Sequence, residues 1–264
     1  MKDLESKYIC ITGASAGIGK SMLKEFIGRG VRHIAVVGRR RQPLEDLKGE
    51  WPEVDFLIIP GDIGQPAEVA NITGTIQKEW GKLDILVNNA GVVSAALLDE
   101  MSDEDVIGQI NINLTGLILL TKKCLPMLKA SHEAALINVS SGLGFIARPF
   151  YNVYAVTKAG VRQFSEAMRR ELKDYPIHIM TIYPTATDTP MMKNAEVGKT
   201  MDNPDDVAQR SIDGLLNGEI DVIFGGDKRV EDVKKNFLYP KEMDQKIAAQ
   251  YEALRERTRN HRAM

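Results

Sequence analysis

Tyr8-Ile9-Cys10-Ile11-Thr12-Gly13-Ala14-Ser15-Ala16-Gly17-Ile18-Gly19 is the stretch on which the reading of this chain turns. Its first five residues have the apolar, β-prone character of a buried strand. Glycines follow at a G-x-x-x-G-x-G spacing, and a helical pattern then continues through Ile27. A glycine-rich turn between strand and helix lets backbone approach a phosphate, and the helix N-terminus adds N–H groups and a partial positive charge. The spacing departs from the usual G-x-G-x-x-G dinucleotide fingerprint. Taken alone, the loop reads equally well as a plain tight turn.

The chain on either side of Gly19 repeats the strand–helix alternation. His33 to Val37, Phe56 to Ile59, Ile85 to Val87, Leu136 to Val139, Ile177 to Ile182 and Ile220 to Phe224 read as further short strands. Helical patterns lie between them at Gln42 to Gly49, Gln65 to Trp80, Asp103 to Leu128, Ala159 to Leu172 and Pro204 to Leu216. Such alternation predicts βαβ units with right-handed crossovers, hence a parallel sheet of about seven strands with helices on both faces. Ligands gather outside the carboxyl ends of such strands. The Gly-rich loop, Arg39, Asp62 and Asn88 all fall at strand ends.

The second strand ends at Gly38-Arg39-Arg40-Arg41. In a dinucleotide fold this place meets the adenosine ribose, and a carboxylate there would accept from the 2′-hydroxyl of NAD. Arginines suit a 2′-phosphate instead, which favours NADP; the bland reading is a solvated basic turn. Ser102 with Asp103, Glu104 and Asp105 is a strong helix start. Asn113 lies further along that helix among Ile110, Ile112, Leu114 and Leu117. A mid-helix asparagine is either buried and hydrogen-bonded or on a solvated face. Tyr154 and Lys158 are four apart and share a helix face. A nearby ammonium would lower the phenol below its ordinary ~10, making a proton donor and acceptor near neutral pH. The ordinary alternative is a solvated lysine beside a half-buried tyrosine.

Composition bounds the rest. With 44% apolar and 27% charged residues and a formal net charge of -2, the chain has no bias toward nucleic acid or membrane. No stretch approaches the ~20 apolar residues of a bilayer span, and Met1 to Lys7 has no apolar signal core, so a cytoplasmic protein is expected. Cys10 and Cys124 read as buried thiols rather than a disulfide. His33, His132, His178 and His261 lack metal-ligand spacing, so no metal is expected. No repeat or linker divides residues 1–264, with 227–264 as a C-terminal tail. Within it a helix is expected from about Pro240, carrying Met243, Ile247, Tyr251 and Leu254 as its apolar stripe.

Thr12-Gly13-x-x-x-Gly17-Ile18-Gly19, Asn88-Asn89-Ala90-Gly91, Asn113, Ser141, Tyr154-x-x-x-Lys158 and Pro184, in this order, resemble the short-chain dehydrogenase/reductase family over about residues 7 to 225. The resemblance implies a single-domain, Rossmann-like doubly wound α/β fold and carbonyl–alcohol interconversion with NADP (NADPH). It implies that Tyr154 donates or removes the proton and that Lys158 holds the nicotinamide ribose and lowers the tyrosine pKa. Ser141, thirteen before the tyrosine, would bond the substrate oxygen, and Asn113 would position a relay water. Tyr151 is a rival, but four residues on stands Ala155, which has no charge to offer. Gly13, Ser15, Gly17, Ile18 and Gly19 would line the pyrophosphate, Arg39 and Arg40 the adenosine side, and Asp62 and Ile63 the adenine. Asn89, Ala90, Gly91, Pro184, Thr187 and Thr189 complete the implied cofactor set, with Thr189 at the carboxamide. A homodimer or homotetramer, packed through the two long helices, is also implied. Thr185 stands where the family has glycine, and threonine tolerates positive φ poorly; the loop there is expected to take another path.

The substrate would meet Val92 to Leu98, Gly142 to Val153 and Ala186 to Asn203. Val93, Phe145, Ile146, Phe150, Met191 and Met192 offer apolar walls suited to a hydrophobic carbonyl or alcohol. Arg148 is the one arginine in these loops. It could meet a carboxylate, although a loop arginine ordinarily points to solvent. A second reading is an NADPH-binding regulator or scaffold with little turnover.

Overall fold

The computed structural model describes residues 1, 3–195 and 201–264. In chain order the elements begin β1 (Tyr8–Thr12), α1 (Gly17–Gly28), β2 (His33–Gly38), α2 (Arg41–Glu50), β3 (Asp55–Pro60), α3 (Pro66–Glu79), β4 (Ile85–Asn88) and β5 (Val93–Ser94). There follow α4 (Asp103–Ile110), a π segment (Asn111–Gly116), α5 (Leu117–Ala130), β6 (Ala134–Val139), α6 (Asn152–Glu171), β7 (Ile177–Tyr183), α7 (Pro204–Leu216) and β8 (Asp221–Ile223). The tail adds α8 (Gly226–Leu238), α9 (Pro240–Ala248), α10 (Tyr251–Thr258) and β9 (Arg262–Ala263).

Seven strands form one parallel sheet in the order β3-β2-β1-β4-β6-β7-β8. Alternate residues serve opposite faces, as the two-residue period of a strand requires. Ile9, Ile11, Ile34 and Val36 pack with Met22 and Phe26 of α1, Leu44 and Leu47 of α2, and Ile212 of α7. Cys10, Ala35 and Val37 face the other way, toward Ile72 and Ile76 of α3, Leu120 and Cys124 of α5, and Met168 of α6. Both cysteines are free thiols in that second layer. The chain runs outward from β1 to β3 and then returns to β4 on the other side. The crevice beyond the ends of β1 and β4 is therefore the switch point where such sheets bind ligands.

Three local expectations change. The long helix is not uniform: α4 and α5 join through the π segment that holds Asn113, a widened turn of the kind found at functional sites. A two-residue strand, β5, follows β4 and was not foreseen. The tail is not one helix from Pro240 but three helices and a strand. The α8 helix buries no residue, although Val230, Val233 and Phe237 recur at helical spacing. Pro240 ends α8, because the residue before a proline avoids helical backbone, and Tyr239 sits at φ -134, ψ 60. Of the expected stripe only Met243 is fully buried.

β9 pairs antiparallel with β5, with Ala263 opposite Val93 and Arg262 opposite Ser94. Asp105 fastens this pair: it accepts from the Arg262 guanidinium at 2.9 Å on each oxygen and from Ser94 Oγ at 2.7 Å. The third expected substrate loop is held by a bridge between Thr187 and Asp202 and contains a short 3-10 turn, Pro190–Met192. Its residues 196–200 lie outside the described part.

Candidate active site

The phosphate loop is closed by backbone that only glycine adopts freely. Gly13 lies at φ +69 and Gly17 at φ +53. A Cβ on Gly19 would collide with the Gly13 carbonyl oxygen, so the first turn of α1 packs bare backbone against the loop. Thr12 Oγ1 accepts from the backbone N–H groups of Asn89 and Ala90 at 3.0 Å each, and Asn89 Nδ2 donates to the Thr12 carbonyl at 2.9 Å. Asn89 thus clamps the loop to the end of β4. Thr189 lies over Gly17, with Cγ2 3.0 Å from where a Cβ would stand. Gly13, Ser15, Gly17, Ile18, Gly19, Asn89, Ala90 and Thr189 are accordingly gathered at one strand end.

Arg39 and Arg40 are exposed just beyond β2, and among the described residues neither has a carboxylate within 4 Å. Asp62 is turned inward to its own loop, where Oδ1 accepts from Gly64 N at 2.8 Å. Ile63 is buried, and its carbonyl abuts Gly116 so closely that a side chain there would not fit. Asn88 departs from the expected ligand-facing position. Its Nδ2 donates to Thr121 and Asn138, both at 2.9 Å, and Asn138 donates on to Ser165 at 2.9 Å. This chain of polar groups ties β4 and β6 to α5 and α6 beneath the site.

Asn113 is 1% exposed. Its Oδ1 accepts from Val92 N at 2.8 Å and its Nδ2 donates to the Val92 carbonyl at 2.9 Å and to Thr157 at 3.2 Å. The side chain holds the segment after β4. Gly91 meets both arms of the site: a Cβ there would lie 3.2 Å from Asn113 Oδ1 and 3.5 Å from Lys158 Nζ.

Ser140 and Ser141 separate cleanly. Ser140 is buried and donates to the Lys158 carbonyl at 2.7 Å, fixing α6 on the end of β6. Ser141 begins the next turn, accepts from Leu143 N at 3.1 Å, and stands near enough to the Tyr154 phenol to lower its pKa. Lys158 Nζ donates to the Val139 carbonyl at 2.9 Å and lies 5.6 Å from the Tyr154 ring centre. The expected depression of Tyr154 is not found. Burial pushes the phenol up to about 12, with Ser141 opposing, and burial draws Lys158 down to about 8. Desolvation disfavours whichever form is charged, so in a dry site the two groups move toward neutrality from opposite sides.

Tyr151 is engaged elsewhere. Its hydroxyl pairs with His261 Nδ1 at 2.7 Å, and His261 Nε2 faces the Met191 carbonyl at 3.0 Å. Pro184 accepts from Gly142 N at 3.0 Å, and Thr187 donates to the Thr185 carbonyl at 3.1 Å. Thr185 avoids the left-handed backbone open to glycine and spends its hydroxyl on Asp202. Phe150 is the one described non-glycine at positive φ, 72°, immediately before Tyr151. The tail reaches this region as well. Arg229 lies against Gly142, Gln250 against Arg148, Tyr251 against Phe150 and His261 against Tyr151. No motif marks these residues, since they reach the site only through folding. Among the described residues, no group of side chains could hold a metal and no helix is long and apolar enough to cross a membrane.

The family model of short chain dehydrogenases matches residues 7–199. A mouse dehydrogenase/reductase, SDR family member 7, is 32% identical over 211 residues, covering 76% of this chain; the chain spans 62% of that relative's length. The NADP-dependent 3-hydroxy acid dehydrogenase YdfG of Escherichia coli K12 is 34% identical over 177 residues, covering 67% of this chain and 71% of that one. A crystal structure of the Brucella melitensis 3-ketoacyl-(acyl-carrier-protein) reductase complexed with NADH superposes with a TM-score of 0.75 at 28% identity, covering 84% of this chain and 99% of that chain. With its sheet order, its phosphate loop and the Ser141–Tyr154–Lys158 grouping, the chain belongs to the short-chain dehydrogenase/reductase family of NAD(P)-dependent oxidoreductases.

Proposed function

We propose that this protein is an NADP-dependent oxidoreductase interconverting a carbonyl and a secondary alcohol, with Tyr154 as general acid and base. The observation that carries this is the convergence of Ser141, Tyr154 and Lys158 at the end of β6 and the start of α6, beside the switch-point crevice. The bare-backbone cradle of Gly13, Gly17 and Gly19 fits a pyrophosphate. The cofactor, when bound, supplies or accepts the hydride. Tyr154 gives a proton to the substrate oxygen or takes it back. Ser141 holds that oxygen, and Lys158, with Nζ beside Gly91, holds the ribose hydroxyls. Asp62, Ile63, Pro184 and Thr187 shape the walls around the cofactor, and Thr189 meets its carboxamide.

Arg39 and Arg40 support the choice of NADP, because two exposed guanidinium groups just beyond β2, without carboxylate partners among the described residues, would suit a 2′-phosphate. The YdfG relative is named as NADP-dependent, while the Brucella reductase carries NADH. Exposed Ile107 and Ile110 on α4 and Val156 on α6 favour a homodimer through these helices. A cofactor-binding regulator would leave this cluster without a purpose.

The test is a panel of carbonyls followed by NADPH absorbance. Tyr154→Phe should lower kcat by about 10²–10⁴ with NADPH affinity kept; full activity in this variant would refute the assignment. Arg39→Ala should weaken NADPH by about tenfold or more and leave NADH unchanged. Equal losses for both cofactors would remove the arginine from the specificity argument.

A further inference from the structure

Two arginines, from parts of the chain far apart in sequence, lie along the loop that follows Ser141. Arg229 of α8 lies on Gly142: its Cζ and both Nη atoms are 3.2–3.3 Å from the position a Cβ of Gly142 would take. Equal distances from one point mean that the flat guanidinium is presented face-on, so its N–H edges point away from Gly142. Arg148 comes from the loop leading into α6 and donates to Gln250 Oε1 at 2.9 Å. Both side chains are half-buried. A run of contacts links the two: Asp232, three residues beyond Arg229 on α8, accepts from Lys246 at 2.7 Å, and Gln250, four residues beyond Lys246, accepts from Arg148. Burial and the Arg229 charge lower the Arg148 pKa, and Asp232 raises it.

Charge around them does not cancel. Asp232 is the acid that both feel, yet it is held by Lys246 at 2.7 Å. Among the described residues, neither Arg148 nor Arg229 has a carboxylate within 4 Å. Two half-buried guanidinium groups with no carboxylate in direct contact are costly to hold together. An anion between them would remove that cost and accept from their free N–H edges.

We infer that Arg148 and Arg229 form an anion subsite, one residue beyond Ser141, that binds a carboxylate carried by the carbonyl substrate. The inference rests on the oxidoreductase reading and adds to it the substrate class: an oxo acid or hydroxy acid rather than a neutral ketone. Apolar walls from Phe145, Ile146 and Phe150 would cover the chain between the carbonyl and the carboxylate.

The test pairs linear oxo acids of increasing chain length with their methyl esters, using NADPH. At the best length the acid should exceed its ester in kcat/KM by about 10- to 100-fold. Arg229→Gln and Arg148→Gln should each remove most of this preference through KM, leaving ester turnover and NADPH affinity in place. Arg229→Lys, which keeps the charge but not the fork, should fall between. Equal use of acid and ester by the wild type, or equal losses on both in the Gln variants, would overturn the subsite. If no carbonyl is turned over, the oxidoreductase reading fails on its own, and the subsite is then judged by binding. A rise in melting temperature with the acid but not the ester, absent in Arg229→Gln, would uphold it; no rise would sink it.

Discussion

Lys158 holds an amine where water scarcely reaches, at 4% exposure, with one carbonyl partner. Its pKa falls to about 8 because burial penalises the ammonium, while that of the Tyr154 phenol rises to about 12 because burial penalises the phenolate. The sign of the consequence follows from proton counting. Between pH ~8 and the unfolded lysine value of ~10.4, the unfolded chain holds more protons at this site than the folded one, so stability rises with pH there. Below pH ~8 both states are protonated and the cost of burying the charge is constant. The melting temperature of the free protein, compared with that of Lys158→Met, should therefore gain between pH 8 and 10. Parallel pH curves for the two proteins would show that the ammonium is not strained by its burial. The residue scale is also where the sequence reading failed most clearly. A lysine four residues from a tyrosine announces proximity, but whether it lowers the phenol depends on how much water both have lost.

At the scale of elements, β9 works as a strap. It closes over β5 and brings His261 against Tyr151, so the chain end is tied to the segment that leads into α6. Its anchor is Asp105, whose carboxyl is held below its usual value first by hydrogen bonds from Arg262, against burial, and with help from Ser94. That contribution is present above the ordinary carboxylate value of ~3.9 and is lost as pH falls through the folded value. Because Arg262 is 63% exposed, the pair stabilises the strap by only about 1 kcal/mol after screening. Asp105→Asn should accordingly leave global melting nearly unchanged but speed tryptic cleavage at Arg259 and Arg262. Unchanged cleavage would show that strand pairing alone holds the end in place. The sequence identified Asp105 as a charge complementing the start of α4; its second role needed a partner 157 positions away.

Across the whole molecule, the alternation of strands and helices was legible because each element carries its own period: apolar runs for buried strands, spaced apolar residues for helices. The phosphate loop was legible because glycine spacing reports backbone that no other residue adopts freely. Gly13, Gly17 and Gly19 bear this out, at positive φ or at a contact too close for a side chain. The resemblance favoured Ser141 over Ser140 and Tyr154 over Tyr151; Ser140 donates to the Lys158 carbonyl and Tyr151 pairs with His261. The tail was not legible. α8 buries nothing, β9 is two residues long, and Arg229, Gln250 and His261 carry no pattern. By itself, then, the sequence determined the parallel sheet and the glycine-rich loop at a strand end, since these rest on local periodicity and glycine spacing. Only the tertiary structure decided that Asn113 secures Val92, that the tail lies against residues 142–151, and that Arg229 covers Gly142, because each is a meeting of residues with no spacing between them to read.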